Sequence, residues 1–382
     1  MKLGASIATS FIFFSVVQSA CGFQALGDNS DLSASSGDGG ADLSLNDLLL
    51  NDLLLDDLAG QPIDHGLLDD LSTPDDALSQ TDFSSATGDM LAPSTWTTLS
   101  SGVTNNLRGV SGISGDVFVV GAGGVILEST DQGSNWNSVT NPSGIGPLYA
   151  AFQVPGGKAF AVGDNADILQ AQSGAGTFSK DTAPNYGFLL TGVWGTSNAL
   201  FAVGFARASS NTEFGILRSS GNGTWTEVSP MIGGGAVKAE AVWGPSDTDV
   251  YVVGEAGTIE HTINSGTSWQ ALTSNISSTL YAVWGASLGA VYAVGAGGTI
   301  LFSTGGGDWV TQSSGVTTDL RGVWGAGGSV WAVGLSGTIL RKDGNGSWTP
   351  ESFSNDDYYA IWGSTGSDVY VVGSGGVILH KP

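Results

Sequence analysis

From Trp96 onward the chain is written in short apolar runs of four to six residues, with glycine at one end of most of them. One stretch shows the pattern plainly: Leu280-Tyr-Ala-Val-Trp284-Gly, then Ala290-Val-Tyr-Ala-Val-Gly295, then Gly298-Thr-Ile-Leu-Phe302, and a last short run opening at Trp309. Runs of this length, rich in β-branched and aromatic residues and bounded by glycine, predict strands joined by tight turns. The same frame places Gly121, Gly163, Gly204, Gly254, Gly295, Gly334 and Gly373 at the end of the second run of successive units. An aromatic residue opens the fourth run at Trp96, Trp136, Phe178, Trp225, Trp269, Trp309 and Trp348, at intervals of 40, 42, 47, 44, 40 and 39 residues.

Four strand-sized pieces in a unit of about 40 residues are the signature of a propeller blade. Residues 96–382 hold seven such units, so the predicted fold is all-β, a seven-bladed β-propeller of four-stranded blades over 94–382. The array opens on an isolated fourth run, Trp96-Thr-Thr-Leu, and its last unit stops after a third run, Val377-Ile-Leu-His-Lys-Pro382. The first run is therefore expected to complete the last blade, which removes both exposed sheet edges at once. All 12 tryptophans fall on repeat positions, which marks them as packing between blades rather than a ligand cage.

The segment before the array has another texture. Residues 1–20 carry one lysine, an apolar stretch from Phe11 to Val17 and then small residues, the layout of a signal peptide. Ser19-Ala20-Cys21 resembles a bacterial lipobox, which implies acylation of Cys21, the only cysteine of the chain. Gln18 stands where lipoboxes carry leucine, and ordinary cleavage after Ser19 is the alternative. Residues 21–93 are Asp, Leu, Ser and Gly, and such acidic low-complexity sequence predicts a disordered tether. The chain is thus expected to be exported, as an outer-membrane or cell-surface lipoprotein, or else periplasmic or secreted.

Charge removes several functions. The net charge is −24, and residues 22–95 contain 15 aspartates and no lysine or arginine. No basic stripe exists for phosphates, so nucleic acid is excluded as a partner and a membrane is reached only through a lipid anchor. His65, His261 and His380 have no ligand spacing, which predicts no metal, and no motif implies a cofactor or a catalytic residue.

Family resemblance enters at the turn between third and fourth runs. Ser129-Thr-Asp131-Gln-Gly133-Ser-Asn-Trp136 matches S-x-D-x-G-x-x-W in full, and Asn264, Gly266 and Trp269 stand at the same places in Thr262-Ile-Asn264-Ser-Gly266-Thr-Ser-Trp269. The chain resembles Asp-box (BNR-type) propellers, the group that includes sialidases and photosystem II assembly-factor-like proteins. That resemblance implies the fold and a structural role for the turn. It leaves three functions open: a monomeric binding or scaffold propeller for a protein or glycan, a secreted sialidase-type glycoside hydrolase, or an assembly factor.

Two groups of residues are candidate binding positions. Three residues before each inner-strand tryptophan position stand Arg108, Tyr149, Thr191, Glu240, Tyr281, Arg321 and Tyr359, expected near the mouth of the central channel. The second group lies where blades 2 to 4 depart from the repeat: Asp164, Asp167, Arg207, Glu213 and Glu255, expected on one rim near Glu240. Loops on a rigid scaffold are where function usually resides.

Overall fold

The computed structural model describes residues 96–382, apart from 114, 173–175, 185–186, 207–213, 229–237, 288 and 306. The signal segment, Cys21, the tether, Arg207 and Glu213 lie outside the described residues. Twenty-eight strands form seven antiparallel sheets of four strands each. The innermost strands are β2 (Leu107–Ile113), β6 (Leu148–Gln153), β10 (Phe188–Gly195), β14 (Ala239–Trp243), β18 (Leu280–Ser287), β22 (Leu320–Ala326) and β26 (Tyr358–Thr365). Each touches the inner strand of the next blade, and β26 touches β2, so the ring is closed.

Blade 4 shows the standard unit: after β14 come β15 (Val250–Gly254), β16 (Ile259–Thr262) and β17 (Gln270–Leu272). Blade 7 is assembled from both ends of the array. Its sheet runs β26, β27 (Asp368–Gly373), β28 (Ile378–Lys381) and then β1 (Thr97–Leu99), with Thr97 opposite His380 and Leu99 opposite Ile378. The two incomplete ends seen in the sequence complete one another. Six of the seven second strands end at the expected glycine; in blade 3, β11 (Leu200–Ala206) continues past Gly204.

The core is seven apolar clusters, each shared by two adjacent blades. Their common element is an aromatic pair in which the closing aromatic of one blade meets the second-strand aromatic of the blade before it. Phe160–Trp225, Phe201–Trp269, Tyr251–Trp309 and Tyr292–Trp348 pack nearly edge to face at 6.0–6.3 Å between ring centroids. Nearer the axis, the tryptophan of one inner strand lies on the glycine of the next. A Cβ on Gly285 would fall 2.5 Å from the Trp243 ring, and one on Gly325 or Gly363 would meet Trp284 or Trp324 at 2.9 and 2.6 Å. The Trp-Gly dipeptide of the inner strand is therefore a two-blade device, a large side chain for one neighbour and a space for the other.

The turn between third and fourth strands closes on its own side chains. Ser129 Oγ accepts from Gly133 N at 2.8 Å, and Asp131 Oδ1 accepts from Ser129 Oγ and Asn135 N, each at 2.8 Å. Thr262 and Asn264 repeat this in blade 4, with Gly266 N donating to Thr262 Oγ1 at 3.0 Å and Ser268 N to Asn264 Oδ1 at 2.9 Å. Gly133 and Gly266 sit at φ of 80° and 79°, a conformation that favours glycine. Trp136 and Trp269 then pack into the interfaces behind. These turns bond to the hairpin between first and second strands (Ser265 N to Thr248 O, 3.2 Å), while turns between second and third strands bond to the entry segment of the blade (Glu255 N to Lys238 O, 2.9 Å). The two sets occupy opposite ends of the strands. Among the described residues no helix is long and apolar enough to cross a membrane.

Candidate functional site

Every inner strand is interrupted near its start, and β18 and β26 are interrupted again near their ends. In β2, Leu107 pairs with Gly121 and Gly109 with Val120, which leaves Arg108 as an extra residue between them. Tyr149, Thr191, Glu240, Tyr281, Arg321 and Tyr359 occupy the same place in the other six blades. Each is a β-bulge, which breaks the alternation of the strand and re-aims one side chain. The seven re-aimed residues together line one cavity of about 150 Å³ at the mouth of the central channel. A second space of about 180 Å³ continues from them toward small residues such as Gly109, Ala150 and Gly192.

The chemistry of this ring is uneven. The Arg108 guanidinium lies 5.1 Å from the Tyr149 ring and 5.6 Å from the Tyr359 ring, held between the aromatic residues of its two neighbouring blades. It makes no ion pair among the described residues. Arg321 stacks at 3.8 Å on Tyr281, and its Nη2 donates to Asp319 Oδ2 at 2.8 Å. Thr191 is structural, because its hydroxyl donates to Ala239 O at 2.9 Å and so ties blade 3 to blade 4. Glu240 faces this group with its carboxyl pushed up to about 7, first by burial and then by the nearby Glu255, against the opposing charges of Lys238 and Arg321. Planar guanidinium groups held by aromatic faces keep their donor fork oriented, which suits a carboxylate.

The loop residues are less uniform. Glu255 opens the turn after β15 and accepts from Lys238 Nζ at 2.6 Å, close enough to Glu240 to shift it. Asp164 opens the corresponding turn of blade 2 and lies against Gly146. Asp167, by contrast, is 2% exposed; it bonds Lys180 and accepts from Gly146 N at 3.4 Å, and thus secures the turn from inside rather than standing on the rim. Two things escaped the sequence reading. The bulges did, because pairing offset is a relation between strands. Glu260 on β16 also did, although it is a single acid in a column of leucines.

These features define a seven-bladed propeller with a polar, cation-bearing channel mouth. No protein-family model matches the chain, and no curated protein matches it either, so the kinship with Asp-box propellers stays a resemblance of turns. The fold does match solved structures. The chain is similar to YCF48 from Cyanidioschyzon merolae, with a TM-score of 0.59 at 16% identity over 75% of this chain and 98% of that one. It is similar to YCF48 bound to D1 peptide, with a TM-score of 0.61 at 17% identity over 76% and 97%. The WD40 propeller domain of Doa1 gives 0.62 at 13% identity over 74% and 94%.

Proposed function

We propose that this protein is an exported, lipid-anchored binding propeller whose channel mouth grips an acidic group of a protein partner. The observation that carries the reading is Arg108, a guanidinium fixed between Tyr149 and Tyr359 without an ion-pair partner among the described residues. A carboxylate entering the ring would complete that pair with two parallel hydrogen bonds. Size argues for a side chain or chain terminus rather than a whole glycan. The polar mouth itself holds about 150 Å³, and the space of about 180 Å³ that continues from it leads to small apolar residues such as Ala150 and Gly192, so only a narrow group meets the guanidinium. The D1 peptide named with one YCF48 structure shows that a propeller of this shape takes a peptide in that protein, which favours the same class of ligand here.

A peptide library offered with free and with amidated C-termini tests the reading. Peptides bearing a free terminus or acidic side chain should be retained by the wild type and lost, by tenfold or more, in Arg108→Gln, whose melting temperature should not move. Retention of the same peptides by Arg108→Gln, or selection of neutral glycans instead, would refute it. The anchor rests on Cys21 alone. Alkyne-palmitate labelling in cells should mark the wild type and spare Cys21→Ser, and equal labelling would leave an ordinary secreted chain.

A further inference from the structure

Two charge pairs at the channel mouth are complete in themselves. Lys238, just before β14, gives its Nζ to Glu255 Oε1 at 2.6 Å. Arg321 gives its Nη2 to Asp319 Oδ2 at 2.8 Å and stacks on Tyr281. Two charges of the ring are left over. Arg108 makes no ion pair among the described residues, and its Nε is buried without a hydrogen-bond partner there. Glu240 accepts no hydrogen bond and joins no ion pair among the described residues. Neither can satisfy the other. The ring closes in blade order, so Arg108 of blade 1 and Glu240 of blade 4 stand across the channel from each other. Tyr149 and Tyr359 hold the guanidinium on its own side, at 5.1 and 5.6 Å.

Glu240 is open to the mouth. It is half-buried rather than sealed, and it lines the cavity that all seven bulge residues share. Its charge acts on Tyr281 in the next blade, and Arg321, two blades round the ring, acts on Glu240 in turn. A half-buried carboxylate without a partner is costly, and burial lifts its pKa to about 7. Tyrosine fills the same slot in three blades, so the fold does not require an acid there. Opposite charges with a gap between them fit one ligand that bears both signs. A lysine at the end of a chain offers a carboxylate to the planar fork of Arg108 and, on a flexible alkyl stem, an ammonium to Glu240. Tyr149, Tyr281 and Tyr359 supply apolar faces along which such a stem can lie. An isolated acid would satisfy only Arg108, and an isolated amine only Glu240.

Resting on the reading of Arg108 as a carboxylate site, we propose that Glu240 sets the specificity of the ring, which takes a carboxylate and an ammonium joined by an alkyl stem, as at a chain end that finishes in lysine. The same chemistry arises in a free ω-amino acid. Calorimetry on the full chain at about pH 8, where Glu240 is mostly ionised, separates the two. The probes are acetyl-Gly-Gly-Lys with a free C-terminus, the same peptide ending in norleucine, and aminocaproate. The wild type should bind the lysine peptide tenfold or more tightly than the norleucine peptide. Glu240→Gln, folding at least as well as wild type, should erase that preference by weakening the lysine peptide without weakening the norleucine peptide. Arg108→Gln should lose both. A lysine peptide that outbinds aminocaproate identifies a chain end as occupant, and aminocaproate binding as tightly or more so identifies a free amino acid. Equal binding of the two peptides by the wild type, or a lysine preference that survives in Glu240→Gln, would overturn this inference and leave the carboxylate reading of Arg108 standing. No binding of any of the three probes at millimolar concentration would overturn both.

Discussion

Lys381 Nζ lies 2.8 Å from Glu351 Oε2 and 3.0 Å from Glu351 Oε1, which joins the third strand of blade 7 to the segment that leaves blade 6. Lys381 is 3% exposed, and its ammonium lies 5.6 Å from the Trp96 ring and 5.8 Å from the Trp331 ring. Glu351 also receives Arg341 Nη1 and Trp331 Nε1, each at 3.3 Å. The blade that carries the chain's non-covalent seam is thus clamped to its neighbour by a bonded charge cluster as well as by packing.

Lys381→Met should lower stability by about 2 kcal/mol, less than for a fully buried pair because Glu351 is partly solvated and keeps Arg341. The effect has a defined pH sense. Burial pushes the Glu351 carboxyl up, but the hydrogen bond and charge of Lys381, with Arg341, outweigh it and leave the pKa below the ordinary 4.5. Its contribution is therefore complete above pH 4.5 and disappears as the pH falls through the depressed folded value. Urea midpoints across the acid range should converge for wild type and variant as the pH drops; a constant gap would show that the pair is not the source.

Removing residues 96–100 strips β1 from β28 and takes Trp96 out of the cluster formed with Trp331 and Tyr358. The expected loss is ~3–5 kcal/mol, the range for deleting a large buried side chain. Deleting residues 26–90 should leave the melting temperature of the propeller unchanged. Equal drops for the two deletions would place the domain boundary elsewhere.

Gly285→Ala forces a methyl to within 2.5 Å of Trp243 and 2.9 Å of Ala290 O. A cost of about 1–3 kcal/mol follows from overpacking. Trp243→Phe shortens the opposing ring, so the double variant should be more stable than the sum of the two single losses. Strict additivity would mean that the contact between the blades is not what the alanine disturbs.

Glu240 responds to pH in the opposite sense to Glu351. Its folded pKa of about 7 exceeds the ordinary 4.5, so between these values the folded chain holds a proton that the unfolded chain releases. Stability should fall as the pH rises through that window, by no more than about 3 kcal/mol, and then level off. Glu240→Gln should remove one such slope and leave the similar one of Glu260, whose carboxyl burial also lifts to about 7. An unchanged profile in Glu240→Gln would mean that its carboxyl is solvated.

The frame was legible because one error-prone pattern was written seven times, and the complementary ends at Trp96 and Pro382 fixed how the ring shuts. The ring positions could be found by equivalence, but their cause could not: whether Arg108 alternates with its neighbours depends on how β2 aligns with the strand beside it. Asp167 read as a rim acid because turns are usually exposed, whereas Lys180 reaches back to cover it. Glu260 was visible only down the column of equivalent residues, where it replaces leucine, and not along the row in which it sits between two ordinary neighbours.

The seven bulges separate what the protein is from what it recognises. In each inner strand the regular register is carried by the residues on either side of the bulge, such as Leu107 and Gly109, and the residue between them stands outside it. Thr191 apart, whose hydroxyl ties blade 3 to blade 4, its side chain is set off from the ladder that presents it. Arginine, tyrosine, threonine and glutamate already occupy the same slot in different blades. The channel mouth behaves as a seven-letter word set in fixed type, and a library that rewrites those letters would change the vocabulary of ligands while the blades remain the same page.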